Sequence, residues 1–181
     1  MSRIAAIEPS AATGKAKDLL SAVQHKLGLV PNMTKVMVNS PAVLEGYLGL
    51  SGALSGGLLD AKTREQLALV ISQENHCDYC LSAHSVIGKM VGLNPQQVID
   101  SREGKGTTER TTAALTFAKK VLDARGNINA NDLNAVRDAG FNEGEIAEII
   151  AHVALNVLTN YFNIAAAVDI DFPKVSFAQL G

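Results

Sequence analysis

The chain has 181 residues, a formal net charge of −2 and 19% charged residues, below the usual quarter. That length holds one well-buried core and is short for two, and without a basic cluster a nucleic-acid partner is not expected. No apolar run reaches the roughly 18 to 20 residues of a bilayer span, so no membrane role is expected, and the thin charged shell points to burial against further copies of the chain.

The opening stretch MSRIAAIEPSAATGKAKD lacks the uninterrupted apolar core of a signal peptide, which predicts a cytoplasmic, reducing setting. Strand signals are nearly missing, and helix signals recur. Thr13 or a neighbour opens a helix through Leu27, ended by Gly28. LVPNM (29–33) turns the chain, because Pro31 disfavours helix at the residue before it. Ser40 and Pro41 form an N-cap followed by a first-turn proline, which starts a helix toward Leu54, and Ser-Gly-Gly at 55–57 stops it. Asp60 caps a helix over Ala61 to His76. Asp78 caps the next, from Tyr79 to about Met90, with Gly92 as its stop.

A small internal echo follows. VGLNPQQVI (91–99) and AGFNEGEIA (139–147) share a plan of helix-ending glycine, large apolar residue, then capping asparagine. Asn94 with Gln97, and Asn142 with Glu145, have the spacing of capping boxes, and Phe141 and Ile146 that of a hydrophobic staple. Two further helices are expected near 108–124 and 130–138. The last long helix, about Glu143 to Val168, is apolar around most of its circumference and therefore central or in a subunit contact. Its His152, Asn156, Asn160 and Asn163 form one stripe, read either as a hydrogen-bonded seam or as part of an active-site lining. The predicted class is all-α: one domain over 1–181, a helical bundle built from helix hairpins, with its motif core at 59–90.

ENHCDYCLSAH (74–84) holds both cysteines and two of the four histidines, His76 and His84. Cys80 and His84 lie one helical turn apart on one face, with Cys77 near the same line at the helix entrance. A first turn carries unpaired N–H groups and partial positive charge, which lower a thiol's pKa, and an imidazole four residues on can exchange its proton. Three readings compete: a metal clamp, a dithiol redox centre, and two cysteines buried simply as small apolar residues. Structural zinc wants four ligands, and no second C-x-x-C exists; His25, His76 and His152 match no zinc spacing. Redox spacing with a histidine one turn on favours the dithiol centre over simple packing. A carboxylate to orient the histidine could be Glu65 or Glu74, and periodicity does not choose between them. His76 reads as a residue that satisfies terminal carbonyls.

The stretch LDAKTREQLALVISQENHCDYCLSAH (59–84) resembles the core of the AhpD-like alkylhydroperoxidases in the carboxymuconolactone decarboxylase family. Their motif is a glutamate, eleven residues, then C-x-x-C-x-x-x-H. Glu65, Cys77, Cys80 and His84 match it position by position, so the resemblance selects Glu65. The flanks VPNMTKVMVNSPAVLEGYL and NVLTNYFNIAAAVDIDFP look like the peroxidase-related branch. One departure is Tyr79, where the best-known members have a histidine, so a relay through that histidine is absent or altered. Decarboxylases of the family generally lack the cysteine pair, and its presence argues against lactone decarboxylation.

The resemblance implies a bundle of the AhpD type, assembled as a homo-oligomer, trimer or hexamer, without metal or organic cofactor. It implies that the Cys80 thiolate attacks a hydroperoxide and becomes a sulfenic acid, and that Cys77 condenses with it to a disulfide. An external dithiol partner, protein or small molecule, then reduces that disulfide. Thioredoxin-type logic would instead give Cys77 the attacking role. Two other functions stay in view: a dithiol oxidoreductase acting on protein disulfides, and a redox or metal-sensing interaction protein.

Magnitudes rank the helpers. Lowering a thiol pKa from about 8.5 to about 7 raises the thiolate fraction about 15-fold, and the weaker nucleophile returns about fivefold of that. Protonating a leaving group contributes about 10² to 10⁴. His84, backed by Glu65, is therefore expected to matter more as an acid than as a thiol activator.

Overall fold

Three asparagines set the helix pattern of the second half. Asn94, Asn129 and Asn142 each accept the backbone N–H three residues on, while Gln97, Asp132 and Glu145 return a bond to the capping residue's own N–H. Two of these boxes were expected; the Asn129 box uses an aspartate and escaped the pattern. The computed structural model describes residues 2–179, so Met1, Leu180 and Gly181 of the expected 1–181 domain lie outside the described residues. Among the described residues the chain forms nine α-helices and no strand, as an all-α class requires. They are α1 (Gly14–Leu27), α2 (Asn32–Met37), α3 (Pro41–Ser55), α4 (Ala61–Glu74), α5 (Asp78–Met90), α6 (Pro95–Arg102), α7 (Glu109–Asp123), α8 (Ala130–Asp138) and α9 (Glu143–Ala166).

Helix α4 is the hub, packing on α5, α6, α7 and α9. Its face carrying Leu67, Val70 and Ile71 enters a core shared with Leu115, Phe117 and Val121 of α7 and Ile149 and Val153 of α9. Phe141 and Ile146, the expected staple, are buried in the same core. Leu69 faces a smaller cluster with Leu81 of α5 and Val98 of α6. A third cluster joins Leu20 of α1, Val36 and Met37 of α2 and Leu44 of α3 to Cys77, Tyr79 and Cys80 at the start of α5. Burial of each such aliphatic side chain contributes about 1.5–3 kcal/mol, so the sulfurs sit on a frame held from three sides.

Several boundaries differ from expectation, each for a local reason. Pro31 does turn the chain, but Asn32 then starts the short α2, which the loop-like composition hid. Helix α4 ends at Glu74, because His76 takes a left-handed backbone (φ +57°). Its N–H reaches Gln73 O and the Cys77 N–H reaches Ser72 O, the closure that usually employs glycine. The His76 ring stacks on Phe177 with centroids 4.4 Å apart, so only its main chain satisfies a terminal carbonyl. Asp78 is not the cap of α5. The cap is Cys77, whose sulfur accepts the Cys80 N–H at 3.2 Å, and Asp78 instead accepts the Phe177 N–H at 2.8 Å. Helix α9 stops at Ala166 rather than Val168, with Ala167 left-handed at φ +46°.

By length and composition α9 could cross a membrane, a property a scan for uninterrupted apolar runs misses because glutamates and polar residues punctuate the helix; half of the relevant stretch is buried inside the fold. The chain's last described segment is tied across α4, α5 and α6. Arg102 holds Ser176 O at 2.8 Å and Gln179 O at 2.7 Å, and Gln73 holds Phe177 O at 2.9 Å.

Candidate active site

The loop between α4 and α5 brings the two sulfurs together. Cys77 caps α5, and Cys80 is the third residue of its first turn, which puts the Cα atoms 5.3 Å apart and the sulfurs in a disulfide. Both cysteines are almost fully buried, at 1% and 3% exposure. Of the three sequence readings, the bonded pair is the form a dithiol redox centre takes when oxidised. Among the described residues no three His, Cys, Asp or Glu side chains converge as metal ligands would.

One turn past Cys80, His84 turns toward α4. Its Nδ1 lies 2.7 Å from Glu65 Oε2, and both side chains are largely shielded. The choice between carboxylates is thereby decided in space: Glu74 bonds the Lys119 ammonium on α7 instead. With Nδ1 engaged by a carboxylate, the ring is oriented and Nε2 is the nitrogen available for proton exchange.

Two cavities meet at His84. The first, about 180 Å³, is walled mainly by polar residue types and lies between α3, α4 and α9, with Glu65, His84, Arg64, Tyr47, His152 and Asn156 among its walls. Burial pushes the His152 pKa down, and the Arg64 guanidinium adds to the fall, so this imidazole is held neutral beside the pair. The second cavity, about 290 Å³, is apolar; Cys80 and His84 share it with Leu29, Ile87, Met90 and Phe172. Tyr47, His84 and Thr159 belong to both. A third hollow, about 210 Å³, reaches Cys77 from another side, between His76, Phe177, Ile164 and Val168.

Tyr79 has a structural place. Its hydroxyl accepts the Met33 N–H at 3.1 Å, and its ring meets Phe172 edge-on. Burial pushes its pKa up; the Met33 amide opposes this and the Asp171 carboxylate adds to it. The hydroxyl therefore stays protonated and ties α5 to α2, and offers no titrating relay near neutral pH.

The α9 stripe serves both of its expected readings. Asn160 is a seam residue, bonded to Ser72 Oγ at 3.3 Å and to Asn75 at 2.9 Å. His152 and Asn156 line the polar cavity, and Asn163 reaches the sulfurs, its Nδ2 lying 3.3 Å from Cys80 Sγ. Sequence reasoning missed Tyr47 and Arg64 as cavity walls; no spacing signal links them to the motif.

A cysteine pair at the mouth of one helix and a Glu–His pair spanning two define an AhpD-type helical dithiol protein. The comparisons agree. Residues 41–124 match the model of the carboxymuconolactone decarboxylase family. A peroxidase-related protein of Ralstonia eutropha JMP134 with an alkylhydroperoxidase AhpD core superposes with a TM-score of 0.85, at 26% identity over 94% of this chain and 92% of that one. A peroxidase-related protein of Silicibacter sp. TM1040 gives 0.76, at 27% identity over 86% and 84%. The debrominase Bmp8, 21% identical with a TM-score of 0.77 over 92% of this chain and 90% of its own, shares the fold. An uncharacterized protein of Haemophilus influenzae is 44% identical over 46 residues, 25% of this chain and only 41% of that relative's length. A segment of the carboxymuconolactone decarboxylase family thus spans residues 41–124, within a fold similar to the AhpD-like peroxidase-related proteins over most of the chain.

Proposed function

We propose that the protein is a thiol-dependent peroxidase, reducing organic hydroperoxides in preference to hydrogen peroxide through a Cys77/Cys80 dithiol–disulfide cycle. The observation that carries this reading is the adjacency of Cys80 and the Glu65-backed His84 on one apolar cavity. The kinship with peroxidase-related proteins supports it.

In the reduced protein His84 Nε2 takes the Cys80 thiol proton, and the resulting thiolate attacks the terminal oxygen of R–O–O–H. An S–O bond forms, the O–O bond breaks, and the departing alkoxide takes a proton from His84 Nε2 and leaves as the alcohol. Cys77 then attacks the Cys80 sulfenic acid; the S–S bond forms and the displaced hydroxide leaves as water after protonation. An external dithiol, in a reducing cytoplasmic setting, returns both thiols. The apolar walls of the Cys80 cavity favour a hydrocarbon-bearing peroxide, since apolar surface gains from leaving water.

The α9 residues Ile150, Leu158, Tyr161 and Ile164, all exposed, support self-association through that helix. A trimer or hexamer is the assembly proposed, with no nucleic-acid or membrane partner. Both sulfurs are buried, so the external dithiol that returns the thiols reaches them through the hollows lined by Cys80 and Cys77.

The test is mass spectrometry of thiol state after graded cumene hydroperoxide on wild type, Cys77→Ser and Cys80→Ser. A sulfenic acid at Cys80 in Cys77→Ser, with alcohol released in equal amount, is the expected result. A sulfenic acid only at Cys77 in Cys80→Ser would reverse the two roles, and no oxidation of either would remove the peroxidase reading.

A further inference from the structure

Asn163 stands where the reaction happens, yet nothing in the motif calls for it. It lies on α9, 83 residues beyond Cys80 in the chain, 3% exposed, at the junction of the hollows that reach Cys80 and Cys77. Its Nδ2 is 3.3 Å from Cys80 Sγ and 3.2 Å from Met33 Sδ. Its Oδ1 is buried with no hydrogen-bond partner.

Physical chemistry orients this amide. Turned the other way, its oxygen would face two electron-rich sulfurs, an arrangement without a donor; as placed, N–H groups face them both. A disulfide or thioether sulfur accepts weakly, whereas a thiolate accepts a charge-assisted bond. The Asn163–Cys80 contact therefore strengthens when the disulfide is reduced, and it favours the thiolate over the thiol. The unpartnered Oδ1 is the second clue. Buried oxygens are almost always satisfied, so an unsatisfied acceptor on the amide whose nitrogen touches a reactive sulfur is suited to a donor that arrives with the substrate.

We propose that Asn163 is a further catalytic residue of the peroxidase site, gripping the sulfur with Nδ2–H and the transferred oxygen with Oδ1. This inference rests on the peroxidase reading. Before attack, Oδ1 accepts the terminal O–H of the hydroperoxide and holds that oxygen beside the thiolate. When the S–O bond forms and the O–O bond breaks, the terminal oxygen keeps its hydrogen, and the same Oδ1 accepts the O–H of the Cys80 sulfenic acid. His84 supplies the proton to the departing alkoxide. The two electrons come from the Cys80 sulfur, and no additional reagent is needed.

The experiment uses reduced protein in a Cys77→Ser background, with Asn163→Leu as the main variant. Three quantities are read: the Cys80 pKa from thiolate ultraviolet absorbance, the rate constant with cumene hydroperoxide at a pH where Cys80 is fully ionised, and the sulfenic acid lifetime from dimedone trapping. Asn163→Leu should raise the pKa by about one unit, a tenfold loss of thiolate near neutral pH. It should also lower the fully ionised rate about tenfold and shorten the sulfenic acid lifetime, effects that a lost thiolate fraction does not produce. Asn163→Asp keeps an acceptor oxygen and loses the N–H donor, so the pKa should rise further while the sulfenic acid lifetime stays near wild type. Circular dichroism checks folding, and Asn163→Asp carries the test if the leucine variant fails to fold. Unchanged pKa and unchanged fully ionised rate in a folded variant, on an active wild type, overturn the inference alone. A wild type that consumes no peroxide removes the peroxidase reading and the inference together.

Discussion

Glu65 Oε2 and His84 Nδ1 meet at 2.7 Å across the contact between α4 and α5, 19 positions apart in the chain. The bond engages Nδ1 and leaves Nε2 as the other ring nitrogen, the one the proposed reaction uses. His84→Gln keeps much of the helix surface and removes the acid. Peroxide turnover should fall about 10²- to 10⁴-fold, while the rate of Cys80 alkylation by iodoacetamide should fall only a few-fold. Equal losses in both measurements would contradict the role as acid.

Glu65→Ala removes the orienting carboxylate and leaves the imidazole in place. Turnover should drop about 10- to 100-fold, the usual cost of losing a group that orients a working histidine. Cumene hydroperoxide kinetics on the purified variant measure it; a rate within twofold of wild type would place Glu65 outside the mechanism.

The apolar cavity makes a selectivity prediction. Val86 lines it together with Cys80 and His84. Val86→Phe narrows the space, and kcat/KM for cumene hydroperoxide should fall at least about tenfold relative to that for hydrogen peroxide, the scale of a few lost apolar contacts. Parallel losses for both peroxides would show that the cavity does not select the substrate.

His152 predicts a pH dependence of stability. Its folded-state pKa lies below the ordinary value of 6.5, chiefly through burial. The unfolded chain then binds the proton more readily, so stability is fully present above pH about 6.5 and declines as the pH falls below it. Urea midpoints at pH 7.5 and 5.5 should separate in wild type, and the gap should narrow in His152→Gln. An identical gap in the variant would assign the dependence to other groups.

Arg102 is 4% exposed and holds the backbone oxygens of Ser176 and Gln179 together with the Gln73 side chain. Arg102→Ala removes the donor to Gln179 O and to the Gln73 side chain, leaves Ser176 O with only the Gln179 N–H, and frees the tail above the third hollow. A loss of about 3 kcal/mol is expected, read as a fall of about 1–2 M in the urea midpoint. Limited proteolysis should cut first near Val175–Gln179; a midpoint unchanged within error would show the tail to be independent of the fold.

Much of the helix pattern was legible because its signals are short-range. Asp60 does cap α4, with Thr63 N–H at 3.0 Å from its carboxylate, and Gly28 does end α1 in the left-handed region. The errors have the same locality: a cysteine sulfur replaced Asp78 as cap, and a histidine filled a position where glycine is usual, substitutions that residue-type preferences do not anticipate. The spacing C-x-x-C-x-x-x-H likewise placed Cys77, Cys80 and His84 on one helix entrance, since a helical turn alone decides that.

Contacts between distant parts of the chain were another matter. Periodicity left Glu65 and Glu74 equivalent, and only the way α4 lies between α5 and α7 sends one to His84 and the other to Lys119. Asn163 showed in the sequence as one of four stripe residues, yet its amide meets Cys80 because α9 crosses the start of α5. By itself the sequence determined most of the helices, the caps at Asp60, Asn94 and Asn142, and the dithiol spacing, because those depend on neighbours within about one turn. Tertiary structure alone decided the cavities and the amide at the sulfur, and it supplied the physical reason for the glutamate that the motif resemblance had selected, because packing of whole helix faces, rather than any local preference, sets which distant side chains share a site.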